Sequence, residues 1–229
     1  MGSDILREVP NSSIPVDFVA LAGRWCTSHS VILLNFVWQG YDLLLAEFPA
    51  GINENNLERS ITQSLVSRIR RMMSGDEPFD IEHGFYEQET MQSPPAQPPE
   101  YDLAFVLRYP YERIMWPLEA KVLKTDGAVG EYVKGMNDKF LSCYYAPFSS
   151  EGTMLGYLLS GTTESVFRNL EAKVPCALAA HPDFPNRPCK MSDHTRHVEA
   201  GKPYPSQFRC YHLILEFSGL ARRKPRRSA

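Results

Sequence analysis

Glu119 and Lys121, in the run Leu118-Glu119-Ala120-Lys121-Val122, are the residues of this 229-residue chain whose type and spacing best suit chemistry. The segment Ile114 to Leu123 is rich in β-branched and bulky residues and reads as a strand. Side chains alternate between the two faces of a strand. Glu119 and Lys121 therefore share one face, and Leu118, Ala120 and Val122 share the other, turned to a core. An acid and an amine on a core strand are costly without partners or a task. About seventeen residues upstream, Asp102 opens a second apolar run, Leu103-Ala104-Phe105-Val106-Leu107. Two carboxylates on neighbouring strands, with a lysine beside them, offer the oxygen donors that a hard divalent cation requires.

This arrangement resembles the PD-(D/E)xK nuclease superfamily, with Asp102 as the first acid and Glu119-Ala120-Lys121 as the D/E-x-K element. The resemblance implies Mg²⁺ as cofactor, with Mn²⁺ as its substitute, held by Asp102 and Glu119. It implies a lysine, Lys121, that holds the attacking water and neutralises charge developing in the transition state. The family often adds an acid from the helix before the strands. Glu58 is the first choice for that role, with Glu54 second and Glu82 and Glu87 as further acids on the first strand. Tyr132 and Lys134, on the crossover helix after the motif, are expected to face the phosphate backbone. Arg196, in Ser192-Asp193-His194-Thr195-Arg196, is a second phosphate-binding candidate. The stretch after the motif lacks the Q-x-x-x-Y element of the RecB-like branch. The run from Glu119 to Tyr157 is more similar to nuclease-like proteins of prokaryotic defence.

An E-x-K tripeptide alone says little in a chain that is 22% charged, and Glu171-Ala172-Lys173 is a second copy. It lies in Thr163 to Val174, where Val166, Phe167, Leu170 and Val174 follow helical spacing. Residues two apart on a helix point to nearly opposite sides, so Glu171 and Lys173 cannot converge on one ion. A different rival is Cys176, His181, Cys189, His194 and His197, residue types that hold zinc, although their spacing matches no common finger. His212, within an apolar strand, reads as a hydrogen-bonded core histidine.

The elements that must position these residues follow in order. Val16 to Phe48 carries an apolar load for one or two helices. Polar breaks at Asn35, Gln39, Asp42 and Glu47 exclude it as a membrane span and leave it buried or docked on a partner or second copy. Asn56 to Met73, with Leu57, Ile61, Leu65, Ile69 and Met72 at i, i+4 spacing, predicts an amphipathic helix. Phe79 to Glu89, Tyr101 to Arg108 and Ile114 to Leu123 predict three strands, and Glu131 to Tyr144 a helix. Thr153 to Leu159 predicts a strand, Thr163 to Val174 a helix, Pro175 to Pro205 an irregular proline-rich segment, and Tyr211 to Phe217 a last strand. The expected fold is α/β, a restriction-endonuclease-like core of antiparallel meander plus helical crossover. Residues 1–52 form a leader and helical extension, 53–220 the nuclease-like domain, and 221–229 a basic tail.

Charge and composition set the partner classes. The hydrophobic content of 43% suits a globular protein. The tail contributes five positive charges to a net −3, leaving the rest of the chain at −8. An acidic body does not coat nucleic acid by bulk charge; it suits an enzyme whose acidic centre is offset by a metal. Five cysteines without a C-x-x-C pair suggest reduced thiols and a cytoplasmic setting. DNA is the expected substrate.

Overall fold

The computed structural model describes residues 16–47, 54–87, 89–90, 98–109 and 114–218. The leader, the Pro49-Ala50-Gly51 break, most of the proline-rich stretch before Tyr101 and the basic tail lie outside the described residues, as does the side chain of Glu54. The chain folds as a mixed α/β structure around a seven-stranded sheet with four α-helices: α1 (Val16–Glu47), α2 (Leu57–Met72), α3 (Gly130–Gly135) and α4 (Thr163–Glu171). The strands are β1 (Phe79–His83), β2 (Leu103–Leu107), β3 (Met115–Leu123), β4 (Glu151–Leu158), β5 (Ala179–Ala180), β6 (Cys189–Thr195) and β7 (Gln207–Glu216). Their spatial order is β1-β2-β3-β4-β7-β6-β5. The first three strands form an antiparallel meander, β4 joins β3 in parallel across α3, and β7 lies parallel to β4. Strands β6 and β5 close the far edge in antiparallel pairing.

Alternation on the strands divides the interior into two apolar clusters, one on each face. Trp116, Leu118 and Ala120 of β3 join α1 and α2, while Met115 and Leu123 join the α3 and α4 side. Ile61, Leu65 and Ile69 of α2 are completely buried, as their i, i+4 stripe requires. Val16–Glu47 forms a single helix, α1, where one or two were expected. Its Cys26, Leu33, Leu34, Val37 and Leu44 have no exposure and lie in the same cluster as the sheet. α1 is therefore a core element shared with 57–217, not an appended extension. Gly40 makes the α1–α2 crossing close: a Cβ there would meet Ile69 Cγ1 at 2.6 Å. Among the described residues no helix is long and apolar enough to cross a membrane.

Two further segments differ from the sequence expectation. The helix expected over 131–144 is α3 followed by a π-helical segment, Met136–Leu141. The segment Pro175 to Pro205, expected to be irregular, contains β5 and β6. One face of β6 carries Cys189 and Met191 to the α1 side, and the other turns the polar Ser192 and His194 inward (2% and 7% exposed), so its apolar alternation is short. Hydrogen bonds serve the polar face. Ser192 Oγ lies 2.6 Å from His194 Nε2 and 2.7 Å from His212 Nε2, and His212 Nδ1 lies 3.1 Å from Tyr132 Oη. Tyr132 Oη donates to the Met154 carbonyl at 3.0 Å, which closes the chain of bonds on β4. The histidine expected in the core is there, with both ring nitrogens engaged and its pKa pushed down to about 3 by burial.

Candidate active site

The site forms where β3 outruns β2. The pairing of these strands ends at Leu103↔Leu118, whereas β4 stays paired to β3 from Leu118 to Leu123. Past Leu118 the β2 side of β3 would leave a strand N–H without a ladder partner. Asp102, one residue before β2, supplies it: its Oδ2 accepts the Ala120 N–H at 2.8 Å. The carboxylate that caps the strand is thereby fixed beside the side chains of Glu119 and Lys121.

Lys121 Nζ stands 2.7 Å from Glu119 Oε1, 3.1 Å from Glu58 Oε1 and 4.0 Å from Asp102 Oδ2. It also donates to the Ala120 carbonyl at 2.6 Å. Three carboxylates thus converge on one ammonium. A second lysine, Lys139, sits 2.5 Å from the same Glu119 Oε1 and 4.6 Å above the Tyr145 ring. The structure therefore brings Asp102, Glu119, Lys121 and Glu58 together and adds Lys139, which the sequence reading missed.

Glu119 is fully buried, and its Oε2 has no hydrogen-bond partner among the described residues. Burial, helped by the Asp102 charge, pushes its pKa up to about 7 despite the two lysines. For Lys121, burial opposes the charge, but the Glu119, Asp102 and Glu58 carboxylates outweigh it and raise the pKa. The raised Glu119 pKa has a consequence for the metal-free protein. The folded state binds this proton more tightly than the unfolded chain, so the contribution is present below about pH 4.5 and is lost as pH rises to about 7. In a chelator, the melting temperature of wild type should fall relative to Glu119→Gln over that window. Parallel melting-temperature curves would show that Glu119 ionises normally.

Among the described residues, no group of three or more His, Cys, Asp or Glu side chains is arranged to hold a metal ion. The residues that could hold a hard divalent cation are the carboxylates Asp102 and Glu119. An orphaned, buried carboxylate oxygen is a polar atom without the partner that burial demands, and oxygen ligands are the kind Mg²⁺ takes. With all five groups ionised, Asp102, Glu119 and Glu58 against Lys121 and Lys139 leave one net negative charge.

Several expected site residues lie elsewhere. Tyr132 is 1% exposed and spends its hydroxyl on Met154 and His212, so it cannot face a phosphate. Lys134, two residues on, is on the exposed side of α3, paired with Asp138. Arg196 is 4% exposed, and its guanidinium donates to the carbonyls of Phe140, Tyr145, Ala146, Pro147 and Ser149. It clamps a loop and has no donor geometry open to substrate. Glu82 pairs with Arg70 at 2.8 Å, and Glu87 accepts the Tyr101 hydroxyl at 2.5 Å. The zinc rival is divided by the sheet. Cys189 belongs to the cluster on the α1 side, while His194 bonds Ser192 beside the opposite cluster.

The second E-x-K copy is a surface feature: Glu171 pairs with Lys190 at 2.8 Å, and Lys173 is exposed just past α4. Glu171→Ala and Lys173→Ala should each shift stability by no more than about 0.5 kcal/mol and leave any cleavage at the wild-type rate. A folded variant with much reduced cleavage would place that turn in the site.

No protein-family model, curated protein or solved structure matches the chain.

Proposed function

We propose that this chain is a metal-dependent nuclease of the PD-(D/E)xK type, a DNA endonuclease acting in the cytoplasm in prokaryotic antiviral defence. The observation that carries the reading is Glu119: a fully buried carboxylate with one oxygen unpartnered, flanked by Asp102 and by the Lys121 ammonium. The order of elements supports it. A helix, a three-stranded antiparallel meander and a helical crossover into a parallel strand are what a restriction-endonuclease-like core would require, and the motif falls on its third strand.

In this reading Asp102 and Glu119 hold Mg²⁺, or Mn²⁺ in its place. Such an ion, when bound, polarises the phosphate and lowers the pKa of a coordinated water. The chain's own groups do the rest. Lys121 holds the attacking water and offsets the negative charge that builds on the phosphorane-like transition state. Glu58 keeps Lys121 oriented from the start of α2, where its carboxylate also suits the helix dipole. Glu119, with no exposure, sits in a low-dielectric setting where its interactions are strong, while Asp102, Lys121 and Glu58 reach the solvent side from which a phosphate would enter.

The test is incubation of the purified protein with supercoiled plasmid and with short DNA and RNA duplexes, with Mg²⁺, Mn²⁺ or chelator. Nicked or linear plasmid formed only with metal, and absent for Asp102→Ala and Glu119→Ala, is the expected result. Binding of DNA without cleavage under every metal condition would replace this reading with that of a catalytically silent nucleic-acid-binding subunit.

A further inference from the structure

Lys139 has a feature that Lys121 lacks. Lys121 is held by three acceptors, Ala120 O, Glu58 Oε1 and Glu119 Oε1. Lys139 has one polar partner among the described residues, Glu119 Oε1, and otherwise lies over the Tyr145 ring. Two ammonium groups 2.5 and 2.7 Å from one oxygen are at most 5.2 Å apart, so they repel each other across a group with no exposure. The arrangement holds because a buried carboxylate without positive neighbours would take up a proton instead. Lys139 thus occupies the place of missing positive charge at Glu119.

A divalent cation on Glu119 would remove that need and repel both lysines. Lys121 is tied to two other acceptors and stays. Lys139 has no other polar partner among the described residues, is more exposed than Lys121 (27% against 20%), and stands on a long flexible stem beside the exposed Asn137 and Asp138. The neighbouring Asp138 is exposed and already paired with Lys134, so it competes weakly for the released ammonium. It also sits in the π-helical segment, and π turns within helices cluster at functional sites. An ammonium released at the mouth of a phosphodiesterase site has a natural acceptor, a non-bridging phosphate oxygen.

Resting on the nuclease reading above, we propose that Lys139 is a displaceable counter-ion: it sits on Glu119 in the metal-free protein and passes to a phosphate oxygen of the nucleic-acid substrate when a divalent cation takes Glu119. Metal loading and substrate grip are then coupled through one side chain.

The experiment has two readouts independent of cleavage, with Lys139→Gln as the variant and Lys139→Met as a second neutral replacement if the first does not fold. Calorimetric titration of Mn²⁺, at a pH well above the titration of Glu119, should show tighter binding in the variant, on the order of threefold to tenfold, because a competing cation is gone. Anisotropy of a short fluorescent DNA duplex should show no effect of the variant in chelator. In Ca²⁺, a hard cation that oxygen ligands accommodate flexibly, the variant should bind the duplex about tenfold more weakly. Lys139→Arg should retain the metal-dependent grip.

Unchanged Mn²⁺ affinity in Lys139→Gln, in a protein that loses Mn²⁺ on Glu119→Gln, overturns the counter-ion role and leaves the metal site standing. An equal loss of DNA binding with and without Ca²⁺ overturns the switch and makes Lys139 a fixed contact. Equal Mn²⁺ binding by wild type and Glu119→Gln overturns the metal site itself, and this proposal with it.

Discussion

Lys121→Ala should lower the cleavage rate by about 10²-fold or more, the scale of removing one transition-state donor, while Mn²⁺ affinity holds or improves. The direction on metal follows from charge. An ammonium 2.7 Å from Glu119 and 4.0 Å from Asp102 repels a dication placed between those carboxylates, so its removal favours binding. The loss in rate follows from what the ammonium does once a phosphate is present. Held by Ala120 O and Glu58, it remains in place to steady the water and the developing charge. Glu119→Gln should do the reverse in kind, weakening metal binding by loss of a charged ligand. Single-turnover cleavage with calorimetry on both variants separates the two effects. If Lys121→Ala loses Mn²⁺ as severely as Glu119→Gln, Lys121 serves to orient Glu119 and has no direct part in the chemistry.

Arg196→Ala should cost about 3–5 kcal/mol of folding free energy, a large share of the stability of a domain this size. The guanidinium reaches five carbonyls between Phe140 and Ser149, at distances from 2.7 to 3.4 Å, and stacks at 4.6 Å on Phe208. It is 4% exposed, and that burial lowers its pKa. Truncation would strand several buried acceptors at about 1–3 kcal/mol for each one left unmet. Arg196→Lys should recover only part of the loss, since three donors on a point charge cannot replace a planar five-donor fork. Urea unfolding of the metal-free protein reads this directly. A change below about 1 kcal/mol for Arg196→Ala would mean that the loop closes without its clamp. The same loop carries Tyr145, the ring beneath Lys139, so the clamp also supports the site.

The contrast between Arg196 and Glu119 shows where the sequence was informative. Glu119 and Lys121 were legible because a strand's period of two fixes relative facing without knowledge of register. Asp102 was legible as a neighbour in a meander, though its bond to the Ala120 N–H appears only with the pairing of β2 and β3. Tyr132 and Lys134 were misread by neglect of the rule that disposed of Glu171 and Lys173. Two residues apart on a helix cannot share a face, and here one is buried while the other is exposed. The same spacing held the signal for Lys139. Tyr132, Met136 and Lys139 fall in helical register along the face that α3 and its π extension turn to β3. A lysine on that buried face needs a carboxylate, and Glu119 was the one to hand. Strand β6 was hard to see because only Cys189 and Met191 mark its apolar face, and its other inward residues, Ser192 and His194, are polar groups satisfied by His212 and by each other. Only three-dimensional pairing reveals such a network. Arg196 was read as a phosphate-binding residue because arginine is seldom fully buried. Its five carbonyl partners come from a loop some fifty residues upstream, a distance that no local pattern spans.

The most direct measurement is calorimetric titration of Mn²⁺ into wild type and Glu119→Gln, at a pH where Glu119 is ionised, with folding of both checked by circular dichroism. One Mn²⁺ bound by wild type, and affinity reduced by on the order of tenfold or more in the variant, is the predicted result. Equal affinity in the two proteins, or no binding by wild type, would contradict the assignment of Asp102 and Glu119 as the ligands of a divalent cation.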